Sequence, residues 1–220
     1  MKRYSPAEVW AMGKTVITAH SGCEGTPLNS IEHIHAAIAS GAEMIEVDVR
    51  NIDGVLLLSH DVPEDPAACP TLRECFALVA PAENLHMNID VKTEGLIEGV
   101  MALAKEFDLC ERIIFTGACN DDRALALSLG GDMWRSMWPG QEIADGIAAN
   151  KKDGSPFLNV AYCMITEENN KELCENGFGF SAWTVEKDYF LRLFLEMGVA
   201  NITTRSPARA MKLRKEIQGF

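Results

Sequence analysis

The residues best suited to chemistry fall in four short stretches of the chain's first 92 positions. VITAH (16–20) ends in His20, MIEVDV (44–49) carries Glu46 and Asp48, VLLLSHD (55–61) ends in His60 and Asp61, and LHMNIDVK (85–92) carries Asn88, Asp90 and Lys92. In MIEVDV the apolar Ile45, Val47 and Val49 alternate with the two carboxylates. That period of two predicts a β-strand with Glu46 and Asp48 on one face, roughly 6–7 Å apart. Burying several carboxylates together is costly unless a cation neutralises them, because neighbouring negative charges disfavour each other's ionisation. Glu46, Asp48 and Asp90 make an all-oxygen ligand set, which suits one hard divalent cation, Mg²⁺ or Ca²⁺, better than zinc. His20 and His60 lie on neighbouring segments and can exchange protons near neutral pH, one as base and the other as acid. Lys92 adds a positive charge for an anionic oxygen.

These residues need elements that bring them together. Eight short apolar stretches are predicted as strands: 16–20, 44–49, 85–91, 112–116, 133–136, 157–161, 179–183 and 201–204. Segments with helical spacing lie between them. In one, Ile31, Ile34, His35 and Ile38 form the apolar face, Asn29 and Glu32 have N-cap and capping-box spacing, and Gly41 is the stop. Asp53-Gly54 predicts a tight turn into a short hairpin arm over 55–60. Eight strands alternating with helices predict an α/β fold, a closed (β/α)8 TIM barrel, although an open doubly wound sheet has the same local pattern. No shift of composition or linker divides residues 1–220, so one domain is expected. Barrel active sites lie at the C-terminal ends of the strands, where the histidines, carboxylates and Lys92 fall.

The 32 Asp and Glu against 20 Lys and Arg give a formal net charge of −12. That field disfavours nucleic acid and stable association with anionic membranes, and an anionic ligand needs locally placed positive charge. MKRYSPAEVWAMGK lacks the apolar region of a secretory signal, and no later run is long enough to span a bilayer, so a cytoplasmic location is expected. Seven scattered cysteines without a C-x-x-C pair predict neither a disulfide framework nor a zinc site.

Taken in order, His20, residues 27–30, GAEMIEVDV (41–49), Asp53-Gly54 and His60-Asp61 resemble the glycerophosphodiester phosphodiesterases. NIDVK (88–92), SAWTV (181–185) and GVANITTRSP (198–207) extend the resemblance over almost the whole chain. It implies a (β/α)8 barrel of glycerol and lipid metabolism, with Glu46, Asp48 and Asp90 as cation ligands and His20 and His60 as acid and base. The implied reaction is attack of the substrate's neighbouring hydroxyl on phosphorus, departure of an alcohol from a cyclic phosphate, and opening of the ring by water. The substrate is then a small phosphodiester.

The departures bear on that substrate. His-Arg-Gly is usual in the family, but this chain has His20-Ser21-Gly22, without the phosphate-binding arginine. The third-strand glutamate is shortened to Asp90, and residues 62–70 replace a long insertion that shapes the glycerol pocket in many relatives. Arg205 stands where aspartate is usual, and it is expected beside Ser21 as a substitute phosphate contact. Trp183 is expected at the substrate mouth or in the core. Two other readings stay open: a barrel that binds phosphorylated metabolites without turnover, and a lyase that releases the cyclic phosphate. His33 and His35 read as surface or helix-packing residues, His86 and Cys23 receive no role, and Asn88 and Arg135 could face either the barrel interior or ordinary packing partners.

Overall fold

The structure is a computed structural model that describes residues 4–220. After a short helix α1 (Pro6–Ala11), strand β1 (Val16–Ala19) leads through a 3₁₀ turn to α2 (Ile31–Ser40). The hairpin β2 (Met44–Ile52) and β3 (Val55–Leu58) is followed by α3 (Leu72–Val79). Next come β4 (His86–Val91), α4 (Ile97–Glu106), β5 (Ile113–Gly117), α5 (Arg123–Ser128), β6 (Asp132–Met133) and β7 (Arg135–Met137). The chain ends with α6 (Ile143–Asp153), β8 (Phe157–Ala161), α7 (Glu167–Glu175), β9 (Gly179–Trp183), α8 (Asp188–Glu196), β10 (Asn201–Thr204) and α9 (Pro207–Gln218).

The strands run in the order β6-β5-β4-β2-β1-β10-β9-β8-β7, all parallel, with β3 antiparallel on the extended end of β2. The stretch expected as one strand over 133–136 is two short ones. Asp132 and Met133 pair with β5, Arg135 to Met137 pair with β8, and between them the Trp134 amide donates to the Phe115 carbonyl (2.9 Å). A single segment thus changes partners midway and closes the ring as a (β/α)8 barrel. The open doubly wound alternative is excluded, because β1 lies between β10 and β2.

Alternation sorts the side chains. Ile17, Ala19, Ile45, Val47, Val49, Met87, Ile89 and Val91 are buried in the core shared with the helices. The N-terminal end of the barrel is filled by Val16, Met44, Ile114, Trp134, Phe157 and Ala200. Helix α1 plugs that end, with Trp10 edge-on to Phe157 (5.6 Å between ring centres) and its indole N–H donating to the Gly198 carbonyl (3.3 Å). The opposite end is left for polar groups.

Several local expectations need correction. Ser30 caps α2 rather than Asn29, its hydroxyl accepting from the His33 amide (3.0 Å). On that helix His35 is exposed and His33 fully buried, reversing the expected faces. The turn expected at Asp53-Gly54 is present, with positive φ at both residues, as a two-residue hairpin loop demands. Residues 62–70 hold one 3₁₀ turn (Pro66–Ala68). Arg135 belongs to the outside of the barrel, its guanidinium 3.2 Å from Asp153, because Trp134 and Ser136 take the inward positions of that segment.

Candidate active site

The β2–β4 register sets Asp48 directly opposite Asp90, and Glu46 opposite Asn88. One oxygen from each of Glu46, Asp48 and Asp90 lies within 4.8 Å of the others, close enough for one ion to meet all three. Glu46 and Asp48 are each 4% exposed, so water does little to separate their charges. Burial, then the charges of Asp48 and Asp90, push the Glu46 carboxyl well above its usual range. Burial also raises Asp90 despite the lysine beside it. Lys92 Nζ stands 3.0 Å from Asp48 Oδ1 and 2.7 Å from Asp90 Oδ2. Its own burial disfavours the charged ammonium, but the two carboxylates outweigh that and raise its value. One cation against three clustered carboxylates, two of them buried, leaves negative charge uncompensated, and hard oxygen donors at this spacing fit a divalent cation.

The carboxylates are held in place by neighbours. Glu46 Oε2 accepts from the Ser21 amide (2.8 Å), and the Ser21 hydroxyl accepts from the Asn29 amide (2.7 Å). Asn29, in a left-handed conformation (φ 51°), grips Asp48 twice. Its Oδ1 accepts from the Asp48 amide (3.0 Å), and its Nδ2 donates to Asp48 Oδ2 (2.7 Å). Asn29 therefore positions a carboxylate rather than capping a helix, and asparagine tolerates that backbone conformation where most residues do not. Ser21 is buried and belongs to this same network. Gly117 stands so close to Asp90 Oδ1 and the Val91 carbonyl that a Cβ there would collide with both.

His20 Nδ1 lies 2.9 Å from the Ser21 carbonyl, which can only accept, so Nδ1 carries the proton and Nε2 keeps its lone pair. Burial lowers the His20 value below 6.5, offset partly by that bond. His60 projects from the end of the hairpin arm, exposed, with Nδ1 3.0 Å from Asp61 Oδ1. Arg50 anchors its backbone, Nε and Nη2 donating to the His60 carbonyl (3.0 and 2.8 Å) and Nη1 to the Lys92 carbonyl (3.3 Å). His33, given no catalytic role from sequence, supports the wall from behind: its Nε2 lies 3.0 Å from the Glu46 carbonyl, and burial lowers its value to about 4. His86 lies at the opposite end of the barrel, at the start of β4.

A cavity of about 410 Å³ opens at the C-terminal mouth, and His20, Glu46, His60, Asp90, Lys92 and Trp183 line it. Asp48 lies just behind this lining. Arg205 is brought beside Ser21 as expected, Nε donating to the Ser21 carbonyl (3.2 Å), but it lies outside the cavity lining with Glu186 3.9 Å from its guanidinium. The Trp183 indole N–H is buried without an acceptor among the described residues.

Beneath the charged wall the interior is neutral and polar. Thr18 donates to Asn201 Oδ1 (2.7 Å), Asn201 to Ser181 (2.9 Å), Ser181 to Asn159 Oδ1 (2.8 Å), and Asn159 to Ser136 (3.2 Å). Thr116 donates to Asn88 Oδ1 (2.8 Å). The usual interior of this fold is branched and apolar. Reading strands one at a time missed this belt; its sequence trace is the polar residue at an inward position in ITA, MNI, FTG, RSM, LNV, FSA and ANI.

No protein-family model matches the sequence, and neither does any curated protein. Solved structures share its architecture over nearly their full lengths. A glycerophosphodiester phosphodiesterase from Parabacteroides distasonis is 21% identical, with 92% of this chain and 98% of that one covered at a TM-score of 0.75. A candidate glycerophosphoryl diester phosphodiesterase from Agrobacterium tumefaciens is 18% identical over 94% and 100%, with a TM-score of 0.81. A phosphodiesterase from Oleispira antarctica, solved with the product sn-glycerol-3-phosphate, is 17% identical over 93% and 98%, with a TM-score of 0.74. The chain thus has the (β/α)8 barrel fold that these phosphodiesterases share.

Proposed function

We propose that the protein is a phosphodiesterase that depends on one divalent cation, Mg²⁺ or Ca²⁺. Its substrates are glycerophosphodiesters or related small phosphodiesters with a hydroxyl beside the ester, and its products are an alcohol and a phosphomonoester. One observation carries the reading: a cluster of three carboxylates, two of them buried, shares the mouth of the barrel with two histidines and a lysine. The fold shared with solved phosphodiesterases, one of them holding sn-glycerol-3-phosphate, supports it.

Glu46, Asp48 and Asp90 hold the cation, which when bound neutralises phosphate charge and orients the substrate's oxygens. His20 Nε2 takes the proton of the neighbouring hydroxyl as its oxygen attacks phosphorus. The bond from phosphorus to the departing oxygen breaks, and His60 gives that oxygen a proton. The roles then reverse: His60 takes a proton from water, the hydroxide attacks the cyclic phosphate, and His20 reprotonates the ring oxygen as it leaves. Lys92 bridges Asp48 and Asp90 and offers charge to a phosphate oxygen.

A second reading, binding without turnover, draws on the lack of any arginine in the cavity lining among the described residues. Hydrolysis of a glycerophosphodiester panel separates the two. Activity that vanishes with chelator and in Glu46→Gln supports the enzyme. Cation and ligand binding without product would leave the binding barrel.

A further inference from the structure

We propose that the arc of the barrel running from Asn88 to Asn159 is a subsite for a neutral polyhydroxylated leaving group. The inference rests on the phosphodiesterase reading and specifies its substrate class. Asn88, Thr116, Ser136 and Asn159 sit on β4, β5, β7 and β8, and all four line the cavity. The attacking hydroxyl must lie at His20 on β1. The strands from β4 to β8 lead away from His20 past the carboxylates, so this arc faces the other substituent on phosphorus.

The hydrogen-bond inventory of the arc is incomplete in one direction. Ser136 is 2% exposed, and its oxygen accepts from the Gly117 amide (2.9 Å) and from Asn159 Nδ2 (3.2 Å). Both lone pairs are used, so its own O–H is a donor that requires an acceptor. Asn88 is 4% exposed; its Oδ1 accepts from Thr116, while its Nδ2 donates to no described residue. Both donors face the same cavity, and an occupant that displaces water from it must bring oxygens to them. A hydroxyl accepts from such a donor and can pass its own proton to Asn159 Oδ1, which has one acceptor position left after Ser181. An alkyl chain would strand the donors, and a quaternary ammonium has no lone pair to offer them. Trp138 and Trp183 line the cavity as well, giving the C–H face of a polyol an aromatic surface. Small neutral amides and hydroxyls beneath two indoles form a site for a sugar-like or cyclic polyol.

The test compares diesters that share a glycerol-3-phosphate half and differ in the leaving group, with glycerophosphoinositol set against glycerophosphocholine. Wild-type protein with its cation is expected to favour the inositol ester in kcat/KM by tenfold or more, about the effect of one buried hydrogen bond. Ser136→Ala should lower that ratio by about tenfold. Trp138→Ala should also lower it, and because Trp138 is on the rim and 42% exposed, this variant keeps the experiment open if the first fails to fold. Equal kcat/KM for the two esters, or a ratio unchanged in both variants, would overturn the proposal. If neither diester is turned over, the phosphodiesterase reading fails by itself. Titration of tryptophan fluorescence with free myo-inositol then decides: saturable binding weakened in either variant upholds the subsite, and its absence in wild type removes it.

Discussion

Replacing Asn29 tests whether the carboxylates proposed to bind the cation are held by the segment after β1. In Asn29→Ala the Asp48 amide loses the acceptor 3.0 Å away, and Asp48 Oδ2 loses the donor at 2.7 Å. An orphaned buried amide costs about 1–3 kcal/mol, and a hydrogen bond to a charged group contributes about 1.5–3 kcal/mol. Alanine at φ 51° adds about 1 kcal/mol that asparagine largely avoids. The sum, with partial relaxation, is a loss of roughly 3–5 kcal/mol from a fold whose total stability is on the order of 5–15 kcal/mol. The variant should therefore fold, but weakly. Asn29→Gly removes the same two bonds without the backbone penalty, so it should recover about 1 kcal/mol relative to alanine. Both variants should lose cation affinity by roughly 10–100-fold, as is usual when a partner that orients a ligand is removed. Urea unfolding of metal-free protein reads the stabilities, and calorimetric titration with Mg²⁺ and Ca²⁺ reads the affinities. An alanine variant within about 1 kcal/mol of wild type, and binding the cation equally well, would refute this account of Asp48.

Gly117→Ala should displace Asp90, because the new methyl meets that carboxylate and the Val91 carbonyl at φ 86°; calorimetry should show cation affinity falling at least about tenfold. His20 titrates below 6.5 and must be neutral to accept a proton, so the acidic limb of kcat/KM should lie below pH 6.5 in a pH profile of the wild type. The raised value of Glu46 favours its protonated form in the metal-free fold. Its contribution is complete below the ordinary glutamate value of 4.5 and is lost as pH rises through the raised value, so melting curves should show cation stabilising the protein more as pH increases across that window. Arg205→Ala should raise KM for a phosphodiester several-fold if its guanidinium leaves the Ser21 carbonyl for phosphate; an unchanged KM beside a raised one in Lys92→Ala would reject that role.

Strand alternation made the essential parts of this site legible, since a residue's position along a strand fixes its face. Glu46, Asp48 and Asp90 follow from parity alone, and the barrel then brings them to one end. What stayed hidden depends on partners distant in the chain. Asn29 and Ser30 both suit an N-cap, and only the nearness of Asp48 assigns one to the strand and the other to the helix. His33 is buried because β2 passes behind it, a contact absent from local helical spacing. Arg135 is adjacent to the inward Ser136, and the two-piece strand that sets its direction arises from closing the barrel. The polar belt belongs to the closed ring, because each member finds its partner on the next strand. Arg50, which anchors both the His60 and Lys92 backbones, looked in sequence like any arginine on a hairpin.

Phosphorus NMR of glycerophosphodiester turnover tests the central claim most directly, with Mg²⁺ or Ca²⁺ on wild type and His20→Ala side by side. The account predicts a phosphomonoester in wild type, formed through a transient cyclic phosphate, and no product in His20→Ala or after chelation. A cyclic phosphate that persists would contradict hydrolysis in favour of a lyase, and an unchanged diester signal with the cation demonstrably bound would contradict catalysis altogether.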